Sequence, residues 1–276
     1  MAKSVDIHPE EPRANASAKT SYKSPIKPEE RELARKRSEQ EALEAVLADR
    51  ELRSANLRAE LGAFERRYLH FVGSRYAELD EWKARLAERA AREQPGNERA
   101  QQAARDARAI AGETKSAVGD EAAQEPRAFK ASPEMKRLYR EVAKRVHPDL
   151  TSNREDRAKR QELMAEANQA YERGDEARLA KILTAHECSP DNVEGEGTGP
   201  ELVRVIRRVS QARSRLVEIE AEMQELARSE LYQLKSRVEE AEKGGRDVLG
   251  EMIQKVEEQI ALAKERMEAP ASASRS

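Results

Sequence analysis

The feature that most constrains the fold of this chain is an apolar repeat in its C-terminal third. Between residues 202 and 226, apolar residues alternate at spacings of three and four without a fault. This spacing places them on one face of an α-helix and is typical of a coiled-coil seam. Because such a helix is stable in water only when its stripe is covered, the repeat predicts helix-on-helix packing. The stripe comprises Leu202, Val205, Val209, Ala212, Leu216, Ile219, Met223 and Leu226.

The composition of the whole chain also favours long helices over one large globule. Of its 276 residues, 38% are charged and only 4% are aromatic, which leaves too little apolar material for a single large core. The acidic and basic residues alternate at helical spacing, as on solvated helix surfaces, and form no catalytic constellation. We predict an all-α protein that is not an enzyme.

A second apolar stripe predicts an N-terminal coiled coil over residues 29–92, a range without proline. The stripe slips by one residue between Phe71 and Val72, near Gly73, and such a discontinuity alters the supercoil or bends the helix. The aromatic residues here either fill a bulky seam or line a groove for a client or partner, and the sequence leaves both open. The stripe comprises Leu57, Leu61, Phe64, Tyr68 and Phe71, then Val72, Tyr76, Leu79, Trp82 and Leu86.

Segments rich in proline, glycine and small polar residues separate the predicted helices. Residues 1–28 and 270–276 are predicted as disordered tails, since they bury too little surface to offset their ordering entropy. Residues 93–131, which lose the heptad pattern, and residues 189–200 are predicted as flexible linkers. Within the first linker, the alanine-rich stretch 98–111 has the composition of a transient helix.

The C-terminal coiled coil is predicted over residues 201–269. The Gly244-Gly245 pair interrupts it, and the stripe resumes at Ile253, so the last segment either folds back as a helical hairpin or continues straight. The two coils pair with each other inside one chain or between copies. We predict a homo-oligomer through the coiled coils, with a dimer as the simplest form.

The central segment, residues 132–188, carries the most specific pattern. Its first apolar stripe predicts an amphipathic helix that begins at Ser132 and Pro133. Pro148 ends this helix, because proline disfavours the helical conformation of the preceding residue, and Asp149 is expected in an exposed loop. The stripe comprises Met135, Leu138, Tyr139, Val142, Ala143 and Val146.

The other faces of this helix are mostly basic. Lys136, Arg140 and Lys144 lie four residues apart and form one line, and Arg137 and Arg145 add to the positive charge. A basic line beside an exposed carboxylate predicts a docking surface with both signs of charge.

Two further helices are predicted after the His147-Pro148-Asp149 loop. The first begins near residue 153, with Ser152 to Glu155 as a capping box, and Gly174 ends it. The next is capped by Asp175. Their apolar faces hold Leu163, Met164, Ala167, Ala170 and Tyr171, then Leu179, Ile182 and Leu183.

This arrangement resembles the J domain of DnaJ-type co-chaperones over residues 133–174. The resemblance rests on the His147-Pro148-Asp149 loop, the basic helix before it and Ala167-Asn168-Gln169-Ala170-Tyr171 after it. The family's first helix, with its Tyr-x-x-Leu-Gly signature, is not visible before Ser132, and the helix after Gly174 is its predicted replacement. The chain also lacks a Gly/Phe-rich linker and a zinc module. The hairpin core is expected to contain Tyr139, Val142, Ala143, Met164, Ala167 and Tyr171.

The resemblance implies a co-chaperone that binds a DnaK-type ATPase chaperone and stimulates its ATP hydrolysis. The implied contacts are Asp149 and the basic residues, with His147 and Pro148 shaping the loop. No cofactor is implied, and the coiled coils would set the oligomeric state or select an unknown client. The alternative is a structural coiled-coil scaffold in which the hairpin is a spacer. The implied basic contacts are Lys136, Arg137, Arg140, Lys144 and Arg145.

Other classes of site find little support in the sequence. His186 and Cys188 lie two apart, but zinc needs three or four ligands and no partner pair is in view. Nucleic-acid binding is disfavoured by a formal net charge of -2. No apolar run approaches the roughly 20 residues that span a bilayer, and the first residues lack a signal-peptide core. We therefore expect a soluble cytoplasmic protein.

Overall fold

A computed structural model describes residues 27–119, 125–151, 153–187 and 197–269, without the side chains of residues 186 and 187. Within these ranges the chain forms helices and no strands, which confirms the all-α prediction. Residues 1–26 and 270–276, which belong to the predicted tails, lie outside them. The α-helices are α1 (Pro28–Tyr68), α2 (Ser74–Glu93), α3 (Glu98–Val118), α4 (Pro133–Val146), α5 (Arg154–Arg173), α6 (Glu176–Glu187), α7 (Thr198–Arg228), α8 (Glu230–Lys243) and α9 (Val248–Glu268).

Helices α1 and α2 join through a π-helical turn, Leu69–Gly73, into a rod of roughly 100 Å at 1.5 Å per residue. Helices α7, α8 and α9 lie along this rod. The rod therefore has two strands, each a row of helices: α1 with α2, and α7 with α8 and α9. Ion pairs between the two rows follow the same sequence order in both, so the rows run parallel. Representative pairs are Arg58–Glu222 (2.6 Å), Arg67–Glu242 (2.6 Å) and Lys264–Glu78 (3.0 Å).

The parallel order settles two alternatives that the sequence left open. The two predicted coils pair with each other within one chain. The fold-back alternative for the last segment is wrong, because α9 packs on α2 and extends the rod in the same direction. Gly245, with φ at 78°, and Asp247, whose carboxylate accepts a hydrogen bond from the Gly250 amide, make a local turn and restart the helix.

The π-helical turn gives a physical reason for the slip in the N-terminal stripe. A π-helix accommodates one extra residue, which shifts all later side chains around the helix axis. Phe71 is accordingly 43% exposed, whereas Val72 is fully buried against α8 and α9. The hydroxyl of Ser74 donates a hydrogen bond to the carbonyl oxygen of His70 (2.6 Å) inside the turn.

Residues 98–118, predicted as part of a flexible linker, form α3, which packs antiparallel on α2. The side chain of Asn97 caps the helix by accepting a hydrogen bond from the Ala100 amide (3.2 Å). Buried Ala104 and Ala111 allow the two helices to approach closely. The sequence predicted only a transient helix over residues 98–111 within a linker, because a helix with this contact surface shows no stripe of large apolar residues.

Helices α4, α5 and α6 form a compact unit docked on the middle of α1. Its core contains the predicted apolar face of α6, which covers the hairpin of α4 and α5 through Leu179 and Ile182. Helix α1 covers another side, a contribution that the sequence pattern did not reveal. The α1 residues in this core are Ala48, Leu52 and Ala55.

This shared core predicts large effects from truncating either covering helix. We expect Leu52→Ala and Leu179→Ala each to lower the free energy of unfolding by about 2 to 4 kcal/mol, because both side chains are buried. Urea denaturation followed by circular dichroism measures the change. Leu262→Ala, at an exposed position on α9, is the control and should stay within about 0.5 kcal/mol of the parent. A neutral Leu52→Ala would contradict the packing of α1 on the hairpin.

Candidate functional site: the His147-Pro148-Asp149 loop

The two ends of α4 follow from its sequence. The hydroxyl of Ser132 accepts a hydrogen bond from the Met135 amide (2.9 Å), and Pro133 occupies the first helical turn. At the other end, His147 leaves the helix with ψ at 132°, as expected before a proline. Residues Pro148–Leu150 then form a single 3-10 turn that leads towards α5.

Helix α5 begins and ends close to the predicted positions. Its N-cap is Asn153, whose side chain accepts a hydrogen bond from the Glu155 amide (2.9 Å). Ser152, the predicted start of a capping box, lies outside the described residues. Gly174 ends the helix in the left-handed region with φ at 73°, and Asp175 accepts a hydrogen bond from the Arg178 amide (2.9 Å) at the start of α6.

All six residues predicted for the hairpin core lie buried where α4, α5 and α1 meet. The rings of Tyr139 and Tyr171 pack edge to face at 4.9 Å. The Tyr139 hydroxyl donates to Asn168 of α5 (2.5 Å), and the Tyr171 hydroxyl donates to Asn56 of α1 (3.0 Å). Burial raises the pKa of Tyr139 well above its ordinary value and that of Tyr171 to about 12, so both hydroxyls stay protonated. The six are Tyr139, Val142, Ala143, Met164, Ala167 and Tyr171.

His147 is 2% exposed and holds the loop through both ring nitrogens. Its Nδ1 accepts a hydrogen bond from the backbone amide of Asp149 (3.2 Å). In the neutral ring Nε2 therefore carries the hydrogen and donates a hydrogen bond to Glu51 Oε1 on α1 (3.1 Å). One side chain thus shapes the turn and fixes it to α1.

The structure corrects the prediction that Asp149 lies in an exposed loop. Asp149 is 7% exposed, and its Oδ1 accepts a hydrogen bond from Arg157 on the first turns of α5 (2.7 Å). The reason is that α5 and the distant α7 pack against the turn, while the distant α1 holds the neighbouring His147 through Glu51. Pro148 is partly buried beside it.

Glu51 is a buried carboxylate between the loop and α7. Its Oε1 accepts a hydrogen bond from His147 and a second from Arg215 Nε (2.9 Å). Burial would raise the pKa of Glu51, but the His147 hydrogen bond and the Arg215 charge together hold it below its usual range. Arg215 also donates to Glu222 on its own helix (2.7 Å), and the attraction of these carboxylates outweighs burial and raises its pKa.

The pKa of Glu51 predicts acid sensitivity. The pKa of Glu51 is lower in the folded state than in the unfolded chain. The ionised carboxylate therefore stabilises the fold at pH values above the unfolded-state pKa, and this stabilisation is lost as the pH falls through the folded-state pKa. We expect Glu51→Gln to cost about 1 to 3 kcal/mol of unfolding free energy at pH 7, and progressively less as the pH falls below the ordinary pKa of a glutamate and through the folded-state pKa of Glu51. Urea denaturation across this pH range measures the cost. A cost independent of pH would contradict the ionised state of Glu51.

The five predicted basic residues lie on the sides of α4 that do not face its core, and they differ in exposure. Arg137 pairs with Glu134 and Glu141 on its own helix. Arg140 pairs with Asp49 of α1 at 3.2 Å, which ties part of the basic line to the rod. Lys144 and Arg145 are exposed in the last turn before His147, and Lys136 is half-buried near the start.

Several residues that organise the site escaped sequence reasoning. Arg160 is buried and donates to the carbonyl oxygen of Arg145 (2.9 Å), which joins the end of α4 to α5. Its only sequence signal is its place on the buried stripe of α5, four residues before Met164. Glu51 and Arg215 have no such sequence signal, because each matches the pattern of a charged residue on the solvent-exposed face of a coiled-coil helix.

A cleft of about 460 Å³ lies between the loop and α7. His147 and Asp149 line one wall, and Ser214, Arg215 and Glu218 of α7 line another. Among the described residues, no group of three or more His, Cys, Asp or Glu side chains is placed to hold a metal ion. His186 has no described side chain, and Cys188 lies outside the described residues.

No family model, no curated protein and no solved structure matches this chain. Of the helices in the described ranges, none is both long enough and apolar enough to cross a membrane.

Proposed function

We propose that this protein is a J-domain-type co-chaperone that recruits a DnaK-type chaperone and stimulates its ATP hydrolysis. The observation that carries the proposal is the position of His147-Pro148-Asp149, which forms the turn between α4 and α5 with exposed Lys144 and Arg145 directly before it. Two helices, a shaped acidic loop and a basic helix end are the parts that this activity requires.

The roles of the residues follow from their chemistry. The Asp149 carboxylate is an acceptor for a cationic group of the chaperone, and such a charge-assisted hydrogen bond is strong and directional. Pro148 and His147 fix the turn that presents it. The basic face of α4 steers and orients an acidic surface of the chaperone. Hydrolysis takes place in the chaperone, so this chain needs no catalytic group of its own.

In this proposal the rod carries the client. Phe71, left exposed by the π-helical turn, lines a cavity of about 760 Å³ together with Phe64 and Phe129. This supports the groove interpretation of the aromatic cluster for Phe71, whereas Trp82 packs into the seam with α9. The apolar stripes that suggested self-association are covered within the chain and so no longer argue for it. Self-association therefore stays an untested prediction.

The test is a titration of the full chain into a purified DnaK-type chaperone with ATP, with phosphate release as the readout. We expect a saturable rise in the hydrolysis rate. A scaffold protein, the alternative that the long paired rod favours, would leave the rate unchanged at every concentration. The chain without chaperone is the control for contaminating ATPase activity.

A further inference from the structure

The loop that the proposed function requires is covered in this structure. Helix α7 packs directly against the Pro148–Leu150 turn, and α1 supplies Glu51 from another side. The cleft that remains, about 460 Å³, is of small-molecule size, whereas a protein partner needs a contact surface of several hundred Å². A chaperone therefore has no room to reach Asp149 while α7 is in place.

One carboxylate oxygen joins the three parts of this cover. Glu51 Oε1 on α1 accepts hydrogen bonds from His147 of the loop (3.1 Å) and from Arg215 of α7 (2.9 Å). A buried carboxylate is strongly destabilising when its partners leave, so the two contacts support each other. Releasing Arg215 weakens the hold on the loop as well.

Movement of α7 opens its seam with α1, where Leu47, Ala212 and Ile219 are buried, but leaves the rest of the rod in place. Ser229 separates α7 from α8 with an extended backbone (ψ at 148°), so α8 and α9 can stay paired with α1 and α2. The α7 residues that face the loop across the cleft are polar. They are Ser210, Gln211, Ser214, Arg215 and Glu218.

We infer that α7 is an autoinhibitory latch, held over the His147-Pro148-Asp149 loop by its apolar seam with α1 and by the Glu51–Arg215 contact, and that the DnaK-type chaperone docks only after α7 has moved away. This inference rests on the proposed co-chaperone function. It adds that the chaperone competes with α7 for the loop.

The experiment compares the full-length parent with Arg215→Glu, which places a second negative charge against Glu51. The matched control is Arg213→Glu, which reverses a charge on the same helix and breaks an ion pair with Glu39 but does not touch Glu51. Hydrogen exchange of the backbone amides of residues 147 and 149–151, without chaperone, reports opening of the loop. Chaperone ATPase titrations report docking.

For Arg215→Glu we expect faster exchange at residues 147 and 149–151 and half-maximal ATPase stimulation at about tenfold lower concentration, since opening raises the competent fraction. The parent and Arg213→Glu should match each other. A circular-dichroism melt shows whether Arg215→Glu still folds. If it does not, hydrogen exchange of the parent protein alone tests the latch, and unprotected amides in the loop would overturn it. Faster exchange with unchanged stimulation would overturn the latch and keep the co-chaperone function. Faster exchange with no stimulation by any variant would overturn the co-chaperone function and with it the regulatory role.

Discussion

Asp149→Asn is expected to weaken the coupling to a DnaK-type chaperone, measured as ATPase stimulation, by about tenfold or more. This factor corresponds to the loss of one charge-assisted hydrogen bond, worth roughly 1.5 to 3 kcal/mol. Asparagine keeps the size of the side chain and removes its negative charge. Since Asp149 also pairs with the half-exposed Arg157, the free energy of unfolding should fall by about 1 kcal/mol. Phosphate release by the chaperone and urea denaturation measure the two effects.

A matched control separates loss of docking from loss of fold. Asp106→Asn removes an exposed carboxylate on α3, far along the chain from the loop, and should leave the chaperone ATPase titration unchanged. Arg157→Ala removes the partner of Asp149 and should cost similar stability while leaving the carboxylate in place. Full stimulation by Asp149→Asn would refute the co-chaperone proposal and favour the scaffold.

Tyr139→Ala should produce the largest loss of stability, about 3 to 5 kcal/mol of unfolding free energy, because the ring is fully buried where α4, α5 and α1 meet. The substitution removes the edge-to-face contact with Tyr171 and leaves Asn168 without its hydroxyl partner. Urea denaturation monitored by helical circular dichroism gives the value.

Tyr139→Phe is the companion variant, since it keeps the ring and removes only the hydroxyl. Its expected cost is about 1 kcal/mol, the net worth of a typical hydrogen bond. Equal costs for Tyr139→Ala and Tyr139→Phe would mean that the hydroxyl, rather than the packing of the ring, stabilises the hairpin.

Local features of the fold could be predicted because their physical causes are local. Ser132 and Pro133 start α4, Pro148 ends it and Gly174 ends α5, each through the conformation of one or two neighbouring residues. The slip after Phe71 likewise marks a π-helical turn in the same stretch of chain. The identity of these residues and the spacing of the apolar ones contain all of this information.

Features that depend on distant partners could not be predicted. Glu51 lies 96 residues before His147 and 164 before Arg215, and nothing in its neighbourhood marks it as buried. The prediction that Asp149 is exposed was wrong for the same reason, because α1 and α7, which help to enclose the loop, lie far from it in the sequence. Only a transient helix over residues 98–111 was predicted for α3, because alanine contacts replace large apolar ones in its packing on α2.

The parallel rod has a consequence for synthesis of the chain on the ribosome. The first strand of the rod, with α4 to α6 after it, is translated before α7 exists, and contacts of such long sequence separation form late. Until α7 emerges, the His147-Pro148-Asp149 loop of the nascent protein lacks the cover of α7 and contacts only the earlier α1 and α5. Under the proposed co-chaperone function and latch, chaperone recruitment would be strongest during translation of this chain and would decline as the rod closes.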